Sequence, residues 1–297
     1  MSRRSILAIC CAFALLAVWT HRSLARLTQP PEIPEQPQRI VSLAPSVTEI
    51  LYALDLGDRI AGLTDYCAWP PETAGKPRVA GFSSINYEAL LRSRPDLAVL
   101  PVDQTGSRIR LEQLGIPVML LDTRSMPGFL DAVAALGKAA GREAQAQTLL
   151  AGMTAALEAA KARAHGRPKP RVLFVVMHAD RGPQSLSEVH VVGRDGFFSA
   201  MLEAAGGVNA YRGALPFPML SREAIIFLNP EVILDIAPPT MGADRRYWEG
   251  FPGVSAVAQK RVHIITDAGA TVPGPRFPQT LARMSEAFHP AAPEEQP

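Results

Sequence analysis

The tightest constraint on how this chain folds is a ten-residue pattern that occurs twice. Glu88-Ala89-Leu90-Leu91-Arg92-Ser93-Arg94-Pro95-Asp96-Leu97 and Glu223-Ala224-Ile225-Ile226-Phe227-Leu228-Asn229-Pro230-Glu231-Val232 align without a gap. In each copy Glu-Ala leads two aliphatics, and a Pro-acid-aliphatic run ends it. Each continues into an apolar stretch (Ala98-Val99-Leu100 and Ile233-Leu234). This reads as a short helix, a proline break and a buried strand. Two copies about 135 residues apart are too few and too distant for a solenoid. They predict two similar α/β lobes, and small molecules bind in the clefts that such lobes form.

The N-terminus reads as a leader, not as part of the fold. Arg3 and Arg4 precede an apolar run from Ile6 to Trp19, and Ser23-Leu24-Ala25 is a small-x-small cleavage pattern. Residues 1–25 are therefore expected to be a signal peptide, with an uncleaved membrane anchor as the alternative. Cys10 and Cys11 follow Ile9 and Cys10 where a lipidation site needs a small residue, and both fall too early in the run. Removing the leader takes Arg3, Arg4 and Arg22 and no acid, which turns the formal charge from +2 to −1. Nothing in that balance suggests nucleic acid. Only Cys67 remains, so the core and not a disulfide must hold this exported chain. Residues 26–38, with Pro30, Pro31, Pro34 and Pro37, read as an extended tether.

The folded part is expected as an N-terminal α/β lobe over 39–124, linking helices over 125–170 and a C-terminal α/β lobe over 171–290, with a disordered tail at 291–297. Strand–helix alternation predicts parallel sheets in both lobes, each Rossmann-like. Ser46 and Glu49 read as a capping box opening the first helix. Thr64 to Ser84 reads as a loop. A helix is expected near Arg108–Leu114. After Pro127 the chain loses proline and gains alanine, and Glu143 to Ala164 reads as one long backbone helix joining the lobes. A helical joint predicts a preformed cleft that tilts slightly and does not close widely.

Several stretches together resemble the helical-backbone (class III) substrate-binding proteins of ABC importers, and within them the periplasmic cobalamin-binding proteins. They are Arg39 to Glu49, Thr64-Asp65-Tyr66-Cys67-Ala68-Trp69-Pro70-Pro71, Asn86 to Leu97, Pro216-Phe217-Pro218 with Ser221-Arg222-Glu223, and Pro273-Gly274-Pro275-Arg276. The resemblance spans residues 39–290, nearly the whole expected mature chain. It implies a periplasmic, monomeric binding protein with no activity or cofactor of its own. The transported ligand would be a corrinoid such as cobalamin, and the partners an ABC permease's transmembrane subunits.

A corrin is a broad ring with an apolar face and amide arms, so its site needs aromatic faces and a few polar edge groups. Tyr66 matches the position where the family places a ligand-contacting tyrosine. Phe82 and Phe217 fall where the family has tryptophans, which removes the indole donor. Pro101 falls near a further family aromatic. Trp69, in the same loop as Tyr66, is either a ligand contact or a loop anchor. His178 follows a predicted strand, at the end where α/β clefts open, and is either a ligand contact or a hydrogen-bonded loop residue. Cys67 reads as a small buried hydrophobe, and Trp248 as packing with Phe251. No metal cage is expected, since the chain has no His-x-x-x-His or Cys-x-x-Cys pair. Glu88 and Glu223 hold the same place in the two repeats, each in a helix's first turn. In the resembling family such glutamates dock onto the permease; the plainer reading is a carboxylate favoured by the helix dipole.

Two other readings compete. The same fold carries haem or ferric siderophores, with Tyr66 as an axial ligand or Arg181 and Arg194 against an anionic chelate. A periplasmic enzyme on an α/β scaffold is the other, against which stands the lack of Gly-x-Ser-x-Gly, His-Glu-x-x-His, phosphate-loop and Gly-x-Gly-x-x-Gly patterns.

Overall fold

The computed structural model describes residues 30–81, 84–178, 188–236, 245–267 and 269–290. The leader, the first residues of the tether, Phe82, Arg181 and the tail lie outside them. The first lobe runs β1 (Ile40–Ser42), α1 (Pro45–Ala53), β2 (Ile60–Thr64), β3 (Arg78–Ala80), α2 (Tyr87–Arg92), β4 (Leu97–Pro101), α3 (Thr105–Gln113) and β5 (Val118–Leu121). All five strands are parallel, in the order β3-β2-β1-β4-β5. Two helices, α4 (Met126–Ala139) and α5 (Glu143–Ala164), lead out of it. The second lobe follows with β6 (Arg171–His178), β7 (Glu188–Val191), α6 (Phe197–Ala204), β8 (Val208–Asn209), β9 (Met219–Ser221) and α7 (Arg222–Leu228). It ends with β10 (Val232–Asp235), α8 (Arg246–Glu249), α9 (Ser255–Ala258), β11 (Val262–Ile264) and α10 (Phe277–Phe288). Ile40, Val41, Val172, Leu173, Val232 and Ile233 are all fully buried, as the strands of a sheet covered on both faces must be. No described helix is long and apolar enough to cross a membrane.

The second sheet corrects the expectation of parallel strands. Its order is β11-β10-β6-β7-β9, and β7 runs antiparallel to both β6 and β9. Nine residues separate β6 from β7, too few for the crossover that a parallel neighbour needs. The first helix also starts differently. Ala44, extended at φ −158° and ψ 152°, is its N-cap and makes no side-chain cap; Pro45 opens the helix. Ser46 is buried, and Glu49 turns to Arg276 instead. The stretch read as loop contains β3, a three-residue edge strand between Pro77 and Gly81 that is too short for a periodicity to reveal.

The repeat proves to be a structural unit with a common fastening. In the first lobe Asp96 accepts from the backbone amides of Gln38 (2.7 Å) and Arg39 (2.9 Å), while the Arg39 side chain donates to Ser93 O at 2.5 Å. In the second, Glu231 accepts from the Arg171 amide at 2.6 Å, and the Arg171 guanidinium donates to Leu228 O at 2.8 Å and Asn229 O at 2.5 Å. The acid after each proline thus fixes the start of the lobe's central strand, and the arginine there collects the carbonyls that the ending helix leaves free. Arg94 (φ 48°) and Asn229 (φ 41°) take the same left-handed turn ahead of Pro95 and Pro230.

One hydrophobic cluster runs through both lobes, from Ile40 and Leu51 past Met153 and Leu157 to Phe174 and Met284. At its centre Phe129 meets Phe197 edge-on at 5.2 Å and Phe277 at 6.2 Å, and Phe197 meets Phe277 at 5.6 Å. Edge-to-face pairs of this kind contribute about 0.5–1.5 kcal/mol each beyond burial. The lobes are therefore joined through packed side chains as well as through α5.

Candidate functional site

Between the lobes lies a cleft of about 650 Å³. Its first-lobe wall is the chain leaving β4 and β5, with Pro101, Asp103 and Asp122 to Ser125. These are carboxyl ends of parallel strands, where α/β folds bind ligands. The second-lobe wall is the chain after β7, Val192 to Phe198, with Pro216, Phe217 and Pro273. At the floor the walls touch, since the Phe197 amide donates to Arg124 O at 2.8 Å.

The antiparallel β7–β9 pair is what brings Phe217 here. Gly193 N donates to Pro216 O at 2.7 Å, and a Cβ on Gly193 would lie 1.8 Å from Leu215 O. Only glycine permits that approach, which holds Pro216-Phe217 against the wall. The Phe217 ring is 53% exposed and rests edge-on over Phe198 at 6.5 Å; Phe198 in turn stands on Phe174 at 5.8 Å. An apolar face thus stands ready at the cleft, anchored in the core.

The rim carries charge of both signs. Arg124 grips Asp122 through two bonds, Nε to Oδ1 at 2.9 Å and Nη2 to Oδ2 at 3.0 Å. The guanidinium hydrogen bonds hold the Asp122 carboxyl below its ordinary range, against a smaller opposing effect of burial. Asp103, Arg194 and Asp195 complete the rim, and Arg194 donates to Arg212 O at 3.2 Å.

The other sequence candidates lie elsewhere. Tyr66 (56% exposed) and Trp69 (45% exposed) stand on a loop outside the cleft lining given above. That loop is pinned from below: Arg78 donates to Thr64 O, Cys67 O and Thr73 O at 2.7–3.1 Å, and the buried Cys67 Sγ lies 3.0 Å from Thr48 Oγ1 and 3.1 Å from Thr64 Oγ1. Trp69 lies over the Arg276 guanidinium at 4.6 Å. His178 is buried in the second lobe and is not part of the cleft lining. Its Nε2 sits 2.8 Å from Asp235 Oδ2, which also accepts from Trp248 Nε1 at 3.0 Å, with the Tyr247 ring 5.2 Å away. Trp248 packs on Phe251 at 5.6 Å. Pro101 and Arg194 do line the cleft; Phe82 and Arg181 fall outside the described residues.

Glu88 and Glu223 are both on the surface. Asn86 caps α2 by accepting from Ala89 N at 3.0 Å, and Ser221 caps α7 from Ala224 N at 3.4 Å. The two acids sit in the first turn of each helix. Sequence reasoning missed the Asp122–Arg124 pair, the Phe197-Phe198 floor and the Glu49–Arg276 contact. Only the last has a signal, in the Pro273 to Arg276 stretch that carries part of the resemblance.

A family model described as periplasmic binding protein matches residues 40–267. The uncharacterized ABC transporter substrate-binding lipoprotein YvrC of Bacillus subtilis (strain 168) is 27% identical over 87% of this chain and 82% of its own. The vitamin B12-binding protein of Vibrio campbellii is 26% identical over 84% of this chain and 89% of its own. Among solved structures, the apo periplasmic heme-binding protein RhuT from Roseiflexus sp. RS-1 superposes with a TM-score of 0.68 at 26% identity, covering 85% of this chain and 98% of that one. With the model spanning most of both lobes, this chain belongs to the periplasmic binding protein family.

Proposed function

We propose that this chain is the substrate-binding protein of an ABC importer and that it carries a corrinoid between its lobes. The observation that carries the reading is the make-up of the cleft. Phe217 over Phe198, with Pro101, Pro216 and Pro273, offers apolar surface to a ring, while Asp103, Asp122, Arg124, Arg194 and Asp195 offer donors and acceptors to neutral amide arms. An anionic chelate would meet three carboxylates against two guanidiniums, one of them already held by Asp122. The vitamin B12-binding relative supports the corrinoid, and the heme-binding neighbour keeps haem as the competitor. The volume, about 650 Å³, lies in the usual range for small-molecule sites. Tyr66, Phe82 and Trp69 remain proposed contacts for the ligand's outer parts, whereas the buried His178, bonded to Asp235, fits the hydrogen-bonded alternative. Glu88 and Glu223, one per lobe on the surface, are the proposed docking points for a permease of two related halves. The chain acts in the periplasm as a monomer after loss of residues 1–25, and catalyses no reaction.

Calorimetric titration with cobalamin, cobinamide, haem and a ferric siderophore tests the ligand. Cobalamin and cobinamide should bind in a one-to-one ratio and the other two far more weakly. Tight haem binding with a shifted Soret band would overturn the corrinoid reading. Sequencing the exported protein from its N-terminus tests the leader: Arg26 is the first residue expected.

A further inference from the structure

The lobes have a second fastening, beside the cleft wall at Pro273. Arg276, at the start of α10 in the second lobe, reaches into the first. Its Nη2 lies 2.5 Å from Glu49 Oε1 and its Nε 3.0 Å from Glu49 Oε2. Nη1 lies 3.3 Å from Asp267 Oδ1, and the Trp69 ring covers the guanidinium face at 4.6 Å. Glu49 is 4% exposed. The two residues are 227 positions apart in sequence, so the pair joins the lobes and does not staple a local turn.

The segment before Arg276 is shaped around this pair. A Cβ on Gly274 would fall 2.7 Å from Glu49 Oε2, and one on Gly269 would fall 2.4 Å from the Arg276 Cζ. The glycines let the turn close over the ion pair. Pro273, the neighbour of Gly274, is the part of this turn that forms cleft wall.

We infer that Arg276 is a positioning residue for the ligand: it holds the Pro273 wall of the second lobe at a set distance from the first, and clamps Trp69 in place as it does so. The inference rests on the cleft being the ligand site. A bidentate arginine–carboxylate pair fixes orientation as well as separation, and a wall held before binding saves the ordering that binding would otherwise require.

The test avoids leaving Glu49 buried without its partner, a loss that by itself destabilises strongly. The double variant Glu49→Gln with Arg276→Met removes both charges and keeps similar volumes. Cobalamin titration of this variant is expected to show affinity about tenfold weaker than wild type. Trp69 emission in the ligand-free protein is expected to shift, because its cationic neighbour is gone. Arg276→Lys, which keeps a charge for Glu49 but not the planar fork, should fall between the two. Wild-type affinity and unchanged emission in the double variant would overturn the inference and leave the pair a purely structural contact. Phe217→Ala, measured beside it, separates this from failure of the cleft reading. If Phe217→Ala binds normally, the site is elsewhere and the inference falls with it. If Phe217→Ala is weakened and the double variant is not, only the inference falls.

Discussion

In the first lobe Glu88 lies 2.6 Å from Arg92, one helical turn on. In the second lobe the matching place after Glu223 is taken by Phe227, which is 89% exposed. The residue before it is aliphatic and about half exposed in both copies, Leu91 at 44% and Ile226 at 49%. Glu88 is therefore partly neutralised by a surface pair of the kind worth a few tenths of a kcal/mol. Glu223 makes no ion pair among the described residues. Hydrogen bonds from its own backbone amide and the Ser221 hydroxyl hold its carboxyl below the ordinary range. Meanwhile the fastening beneath is duplicated: Asp96 and Glu231, Arg39 and Arg171, the left-handed Arg94 and Asn229. The repeat has kept what closes the turn and changed what faces outward. Two lobes of one design thus present unequal surfaces, one of balanced charge and one of bare charge beside an aromatic.

The largest effect should come from treating both lobes alike. Glu88→Lys with Glu223→Lys should abolish uptake in cells while leaving cobalamin affinity measured by calorimetry unchanged, because like charges would then face a basic permease surface. Loss of ligand binding in that variant would move the carboxylates from the docking face into the pocket. Next come the single changes that separate the lobes. Phe227→Ala should weaken binding to the reconstituted permease by about tenfold, the scale of an aromatic anchor, whereas Arg92→Ala should shift it less than about threefold. Equal responses would show that the two faces dock alike. Below these lie the turn residues, read by chemical denaturation. Asn229→Ala should cost about 1–2 kcal/mol, since alanine tolerates the left-handed turn poorly and loses the 2.8 Å bond to the Ser255 amide. At the matching site Arg94→Asn should stabilise by up to about 1 kcal/mol, because asparagine suits that backbone better than arginine.

What the chain reveals before folding divides along the same line. The repeated helix–proline–strand unit and the long α5 are legible from spacing, because each rests on contacts or propensities within a short window. The antiparallel β7–β9 edge is not, since strand direction depends on which neighbour is free when the chain returns. The Glu49–Arg276 pair is not legible as a pair, although the Pro273 to Arg276 stretch stands out: Glu49 fits a local capping box, and its partner lies in the other lobe. Among site residues, Phe217 is legible through the resemblance carried by Pro216-Phe217-Pro218, and it stands on the cleft wall. Phe197 and Phe198 carry no such cue, because nothing in sequence says that a helix start will form the floor of a cleft.

The hydrophobic cluster that passes from Ile40 to Phe288 without a break bears on how the molecule unfolds. Phe129 leaves the first lobe and buries itself between Phe197 and Phe277 of the second. Separating the halves would bare those rings to water, so neither half keeps its own melting point. Heating should give a single calorimetric transition whose enthalpy matches its van't Hoff value, and a chain severed between the lobes should recover that transition only when both fragments are present.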